Sequence, residues 1–241
     1  MEGRREILRA VESGHPVEEL FILADRIRET ETTSIISPLQ DRGVPVFACT
    51  EAVFEKITYR GSSEGLLAVV PALNGTLDDL TPRTPALILV AEHLEKPGNL
   101  GAILRSMDAV AADAMIVCDR STDVSNPNVI RASLGTVFTV PVAEASTDAA
   151  FDWLEAQGIQ SVAAVPDADI LYTEADFTLP SALFVGSEQD GLSDRCIQRA
   201  SQRVRIPMLG KADSLNVSTA ATVLLYEAIR QRGEAGSLRS E

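Results

Sequence analysis

The chain predicts an α/β fold: a mostly parallel sheet with helices on both faces, preceded by a small α/β unit. Three observations carry this. Ala86–Ala91 (ALILVA) and Ala182–Gly186 (ALFVG) are continuous apolar runs of the kind that form strands buried on both faces. Around them strand-like and helix-like patterns alternate, which predicts a doubly wound, mostly parallel sheet. A stretch with three prolines, Pro71–Pro85 (PALNGTLDDLTPRTP), separates two such alternating blocks. The expected organisation is a small domain at 1–72, a linker at 73–84, a larger domain at 85–233 and a flexible tail at 234–241.

In the first block, residues 2–12 read as a helix with Ile7, Leu8 and Val11 on one face. Glu19–Ala24 is a strand candidate. Arg26–Arg42 reads as a polar helix whose stripe is Ile27, Ile35, Ile36 and Leu39, closed by Gly43. A strand is expected at Val44–Phe47, then a helix from the N-cap Thr50 through Lys56. After the loop Tyr59–Gly65 comes a last strand, Leu66–Val70. At roughly 70 residues this unit is near the lower limit for folding alone.

In the second block, Ala86–Ala91 leads to a helix at Gly98–Ala112 with Leu100, Ile103, Leu104, Met107 and Val110 as its apolar face. The pattern then gives a strand at Ala114–Cys118, a short helix at Pro127–Leu134 and a strand at Phe138–Val142. A helix at Ala149–Gln157 carries the single tryptophan, Trp153, and a strand follows at Gln160–Ala164. After Ala182–Gly186 come a helix around Arg195–Ser201 and a short strand holding Val204 and Ile206, stopped by Pro207. The next loop has Ser214 and Asn216 flanking Leu215. It opens into a helix of small residues, Ser218 to Ala221.

Composition bounds the function. The 241 residues are 45% hydrophobic and 23% charged, ordinary for a folded soluble protein. No apolar run approaches the roughly 20 residues of a membrane span. The charged N-terminus lacks a signal-peptide core, so a cytoplasmic location is expected. Cys49, Cys118 and Cys196 are scattered and odd in number, which argues against a disulfide framework or a zinc site. The formal net charge of −14 argues against nucleic acid as a partner of the whole surface, although a local patch suffices for a site. Lysine is confined to Lys56, Lys96 and Lys211.

Ligands of open parallel sheets sit at the carboxyl ends of strands, and three loops there stand out. EHLEKPGNLGAILRS (Glu92–Ser106) has a Pro-Gly-Asn turn, small residues at a helix start and Arg105 on the helix. GSEQDGLSD (Gly186–Asp194) has two glycines and several acids, without EF-hand spacing; Ser193 or Asp194 reads as a helix cap. The third is the Pro207–Asn216 loop. Neither a Walker A loop nor a GxGxxG fingerprint occurs, and neither His15 nor His93 accompanies a nucleophile elbow. The residues alone give an α/β protein with a loop-built site rich in Asn, Ser, Glu and Arg.

Taken together, PGNLGAILR (Pro97–Arg105), FVGSEQDGLS (Phe184–Ser193) and IPMLGKADSLNVSTA (Ile206–Ala220) resemble, in order, the three motifs of the SpoU/TrmH family of RNA 2′-O-ribose methyltransferases, of the SPOUT class. NPNVIRASLGTVFTVPV (Asn126–Val142) also has the family's look. The 1–70 unit is similar, less specifically, to the small RNA-binding domain of ribosomal-RNA members, most of all at Arg60–Val70. The resemblance implies a C-terminal trefoil knot that holds S-adenosylmethionine against Gly186, Ile206, Met208 and Leu215. It also implies a homodimer through the knotted domain, with RNA as partner, ribosomal RNA favoured over transfer RNA, and neither membrane nor metal required.

Methyl transfer to a ribose hydroxyl needs orientation and help with its proton. The resemblance assigns the catalytic set Asn99, Arg105, Glu188, Ser214 and Asn216. Arginine, with an ordinary pKa above about 12, is a poor base. Arg105 is expected to hold the adjacent phosphate by bidentate pairing, and either it or that phosphate takes the proton. Asn99, Ser214 and Asn216 would orient Arg105 and the ribose, and Glu188 would fix the motif loops or position Arg105. Arg4, Arg5, Arg9, Arg26, Arg28 and Arg60 are candidate phosphate contacts. The rival readings are a transfer-RNA 2′-O-methyltransferase and a non-catalytic RNA-binding member of the fold.

Overall fold

The computed structural model describes residues 1–26, 30–59, 64–120 and 122–234. The small unit contains α1 (Arg4–Glu12), β1 (Glu19–Leu23), α2 (Thr30–Asp41), β2 (Val46–Cys49), α3 (Glu51–Ile57) and β3 (Leu66–Val69). Its sheet has the order β2-β1-β3, with β1 parallel to β2 and antiparallel to β3. Alternation along β1 sends Leu20 and Ile22 to one face, where Ile7 and Val11 of α1 and Ile35 and Leu39 of α2 close the core. Ile27, Arg28 and Arg60 lie outside the described residues.

One strand starts later than its pattern suggests. The expected Val44–Phe47 strand begins at Val46 because Val44 still belongs to the end of α2: its N–H donates to Leu39 O at 3.0 Å. Gly43, at φ 77°, makes the turn that this closure needs.

The larger unit contains β4 (Leu87–Glu92), α4 (Pro97–Ala109), β5 (Ala114–Cys118), α5 (Pro127–Ala132), β6 (Val142–Ala145) and α6 (Thr147–Ala156). It continues with β7 (Gln160–Ala164), β8 (Ile170–Leu171), β9 (Ser181–Val185), α7 (Asp194–Arg199), β10 (Gln202–Arg205) and α8 (Val217–Glu234). All pairings in the seven-stranded sheet are parallel, in the order β6-β5-β4-β9-β7-β10-β8. β4 is buried at every position, as its unbroken apolar run predicts. Leu87, Leu89 and Ala91 face α4, α5 and α8, and Ile88 and Val90 face Phe151 of α6 and Cys196 of α7.

Two local expectations are corrected. The strand expected at Phe138–Val142 is a 3₁₀ turn over Thr136–Phe138, and the chain joins the sheet only at Val142. The Thr136 and Thr139 hydroxyls donate back to Ser133 O and Thr136 O, which closes the turn while Val137 and Val140 bury against α4. Ile206 lies just past β10, since pairing with β8 stops at Arg205. The two-residue edge strand β8 carried no periodicity to reveal it.

The two units meet at a built seam. Arg9 Nη1 donates to Leu134 O at 2.6 Å, and the His15 ring lies 4.9 Å from that of Phe138. Gly135, at φ 83°, sits so close that a Cβ there would be 3.0 Å from Glu6 Cα. Arg9, expected to contact phosphate, is thus engaged in joining the units. Residues expected to form a linker run bound along the larger sheet: Leu73 N–H donates to Ser125 Oγ at 2.8 Å, and Gly75 O accepts from Glu144 N–H at 3.0 Å.

Candidate functional site

The carboxyl ends of β7, β9 and β10 open into a cavity of about 520 Å³, within the roughly 300–1,000 Å³ of small-molecule sites. Its walls are Ala164–Pro166 at the end of β7, Val185–Gly191 at the end of β9, and Ile206, Met208 and Asp213–Val217 after β10. Gly186, Ile206, Met208 and Leu215, the four residues expected at a cofactor, all line it. Gly186 has a second reason to be glycine. The 186–191 loop closes on itself through reciprocal Ser187–Gly191 backbone bonds of 2.9 and 3.2 Å, and a Cβ on Gly186 would strike the backbone of Gly191 and Leu192.

Beside the cavity three loops are tied together. Asn99 Nδ2 donates to Glu188 Oε1 at 2.5 Å, and Asn99 Oδ1 accepts from Asn216 Nδ2 at 3.1 Å. The same carboxylate accepts from the N–H groups of Glu95 and Lys96, both at 3.3 Å. Burial works to raise the Glu188 pKa, yet the donations from Asn99 and from the backbone of Glu188, Glu95 and Lys96 outweigh it. They hold this carboxyl below the usual glutamate range. Asn216 also caps α8, its Oδ1 accepting from Ser218 N–H at 2.9 Å and from Ser218 Oγ at 2.6 Å. Ser214 stands exposed on the cavity wall.

Arg105 stands apart from this cluster. Six residues beyond Asn99, it is about 9 Å further along α4 and on another side of the helix. It is solvent-exposed and makes no hydrogen bond or ion pair among the described residues. The two expectations for Glu188 therefore separate: its hydrogen bonds join the motif loops, and none reaches Arg105. One turn before Arg105, Gly101 lets α4 lie directly on α5, where a Cβ would be 2.5 Å from Ala132 Cβ and 2.7 Å from Ser133 N. Bulk there would push away the helix that presents both Asn99 and Arg105.

Pattern reasoning missed several lining residues. Ala164, Val165 and Pro166 have no motif; they reach the site only because β7 lies between β9 and β10. Lys96, the one basic residue of the lining, sits beside the recognised Pro-Gly-Asn turn. Against it stand Glu188, Asp190 and Asp213. Apolar walls from Val185, Val204, Ile206 and Leu215 with an acidic rim suit a cationic sulfonium attached to an aromatic base, so these residues fit S-adenosylmethionine.

A second cluster reads differently. Glu92, His93 and Asp119 bring three metal-capable atoms within 4.8 Å of one another. Their carboxylates already serve two helix starts. Glu92 accepts from Ser193 N–H at 2.7 Å, Ser193 Oγ at 2.8 Å and Thr147 Oγ1 at 2.9 Å. Asp119 accepts from Thr147 N–H at 3.1 Å, and its Oδ2, 2.7 Å from Thr147 Oγ1, shares that one hydroxyl hydrogen with Glu92. The N-terminal dipoles of α6 and α7 supply the positive field there, and this organises the motif loop. Ser193 caps α7, accepting from Cys196 N–H at 3.1 Å.

The model of the SpoU rRNA methylase family matches residues 86–226, and that of the MRM3-like substrate-binding domain matches residues 1–68. The chain is 32% identical over 238 residues to a 23S rRNA (uridine(2479)-2′-O)-methyltransferase of Streptomyces viridochromogenes, covering 95% of this chain and 82% of that one. A crystal structure of an RNA 2′-O ribose methyltransferase superposes with a TM-score of 0.81 at 42% identity, covering 96% of this chain and 87% of the other. The SpoU methyltransferase AviRb of S. viridochromogenes, in complex with AdoMet, superposes with a TM-score of 0.86 at 32% identity, over 96% and 89%. The Aquifex aeolicus TrmH/SpoU tRNA modifying enzyme matches less of this chain, 66%, and 80% of its own length, with a TM-score of 0.58 at 30% identity.

Proposed function

The chain belongs to the SpoU rRNA methylase family, and on that premise we propose that its methyl acceptor is ribosomal RNA, gripped by the small unit and methylated on the larger one. It is an S-adenosylmethionine-dependent RNA 2′-O-ribose methyltransferase. The observation that favours ribosomal over transfer RNA is coverage. The likeness to the 23S rRNA enzyme spans both units, whereas that to the tRNA-modifying enzyme spans two thirds of the chain. A cytoplasmic location is part of the same reading, since cytoplasmic ribosomes would supply the substrate.

S-adenosylmethionine supplies the methyl group as an electrophilic sulfonium substituent. Ile206, Met208 and Leu215 would pack its apolar parts, and Gly186 would leave backbone groups within reach. Ionised Glu188 holds Asn99 through one amide hydrogen. Asn99 and Asn216 each keep a further amide hydrogen with which to orient the ribose, and Ser214 adds a hydroxyl. Arg105, exposed and without a partner among the described residues, would grip the neighbouring phosphate through its planar fork. That phosphate is then placed to take the proton of the attacking 2′-hydroxyl. Orientation and electrostatics carry the rate in this scheme.

The same reading includes the trefoil knot and a homodimer. The loops after β9 and β10 close on one cavity, which suits a knotted cofactor loop. On α8, Ala221 is fully buried and Thr222 Oγ1 lies 2.6 Å from Ser106 Oγ of α4, so that side serves the chain's own core. Thr219 and Tyr226, seven residues apart on another side, are exposed and would face the second copy.

The deciding experiment supplies labelled S-adenosylmethionine with unmodified ribosomal and transfer RNA transcripts and maps 2′-O-methyl groups. Methylation of ribosomal RNA is expected. Label entering transfer RNA alone would reassign the substrate. Cofactor binding without transfer to either RNA would favour a non-catalytic binder.

A further inference from the structure

The face of the small sheet opposite α1 and α2 carries an apolar row in which Phe47 is exposed and Phe21 and Leu67 are half-buried. Phe21 of β1 is in register with Phe47 of β2 on one side and with Leu67 of β3 on the other, so the three side chains cross the sheet on one face. The two rings are stacked, with centroids 5.2 Å apart and planes 24° from parallel. Phe47 is 44% exposed and Val69, two residues from Leu67 on the same face, is 36% exposed. Of nine exposed large apolar side chains among the described residues, five lie in this unit: Phe47, Val53, Ile57, Tyr59 and Val69. Phe47 and Val69 share the face of the row, and exposed apolar side chains grouped on one face are a feature of interaction surfaces.

Charge indicates what it binds. The first 70 residues carry twelve carboxylate side chains against eight arginines and lysines, and Arg9 is engaged at the seam. A phosphate-led grip needs a local cluster of cations, and the carboxylates of this unit outnumber its cations. Its cations are few, and Lys56 is exposed on α3. Aromatic stacking on unpaired bases has no such need, since every base has a π-face.

Resting on the RNA-methyltransferase reading, we propose that the Phe47–Phe21–Leu67 row is a stacking platform for unpaired bases of the substrate RNA. Recognition by this unit is accordingly directed to single-stranded loops or ends.

The test is fluorescence anisotropy on the full chain with a labelled twelve-nucleotide oligouridylate, alongside calorimetric S-adenosylmethionine binding and methyl transfer to ribosomal RNA. Phe47→Ala should weaken oligonucleotide binding about 5- to 100-fold, the loss of one base stack, and raise the KM for RNA with kcat unchanged. Phe47→Trp should restore binding. Cofactor affinity should not move, which also reports that the variant is folded. For the wild-type chain, log affinity against log salt should have a slope shallower than about −2. The proposal is overturned by absent wild-type binding, by an unchanged Phe47→Ala affinity, by a steep salt slope, or by a Phe47→Ala change in oligomeric mass, which would assign the face to a second copy. Failure of wild-type methyl transfer to any RNA, with oligonucleotide binding still dependent on Phe47, would instead sink the enzymatic assignment and leave the platform.

Discussion

Asn99 and Glu188 are separated by 89 residues and joined by a hydrogen bond of 2.5 Å. The bond ties the start of α4 to the loop after β9, and Asn216 extends it to the loop before α8. Substituting Glu188→Gln keeps the size of the side chain and removes the charge that strengthens these donations. A charge-assisted hydrogen bond contributes about 1.5–3 kcal/mol, so single-turnover methyl transfer should fall roughly 10- to 100-fold. Cofactor affinity, measured by calorimetry, should fall less. A wild-type rate in this variant would remove Glu188 from the site.

The same carboxylate makes the loops acid-sensitive. Its folded pKa lies below the ordinary value because the hydrogen bonds it accepts outweigh burial. Its stabilisation is therefore complete above the ordinary glutamate pKa of about 4.3 and is lost as pH falls through the lower folded value. Amide exchange at Glu95 and Lys96, corrected for its intrinsic pH dependence, should lose protection over that acid range. Glu188→Gln should show no such step; an identical step in the variant would assign the transition to another group.

Arg105 tests the chemistry separately from the pocket. It lies outside the cavity lining and is exposed, so Arg105→Ala should leave the fold and cofactor affinity nearly intact. Methyl transfer to RNA should drop below detection, and Arg105→Lys should recover little because an ammonium cannot pair in a planar, bidentate way. Full activity in the alanine variant would reject the assignment.

Arg232 tests how the end of α8 is held. Its buried guanidinium donates to the carbonyls of Phe177 (2.9 Å), Pro85 (3.0 Å), Ala86 (2.7 Å) and Leu179 (3.2 Å). Replacement by methionine leaves four carbonyls without this donor and should cost about 2–4 kcal/mol. For a chain of this size that is a fall in Tm of roughly 4–16 °C. Lysine should restore only part of it. An unchanged melting curve would show that water replaces the guanidinium without loss.

Much of the site was legible because its motifs are local. Asn99 follows the Pro-Gly turn, Gly186 ends an apolar strand, and Asn216 precedes a helix whose start it caps. Each is visible within a few residues. Ala164–Pro166 gave no such sign, because a wall made of ordinary residues is a wall only when its strand has the right neighbours. Arg9 looked like any exposed arginine until Leu134 O was placed 2.6 Å from it. Val44 was misread because a helix closure took its N–H before the strand could.

The sequence by itself determined most element types, the two-unit plan and the family, since periodicity, turn residues and ordered motifs are properties of neighbouring positions. Only the tertiary structure decided which loops meet. β9 pairs with β4 and β7, and this order sets the walls of the cavity and the Asn99–Glu188 bond across 89 residues. It also decided that Phe21, Phe47 and Leu67 share one row, because register is fixed by long-range pairing that no local pattern encodes.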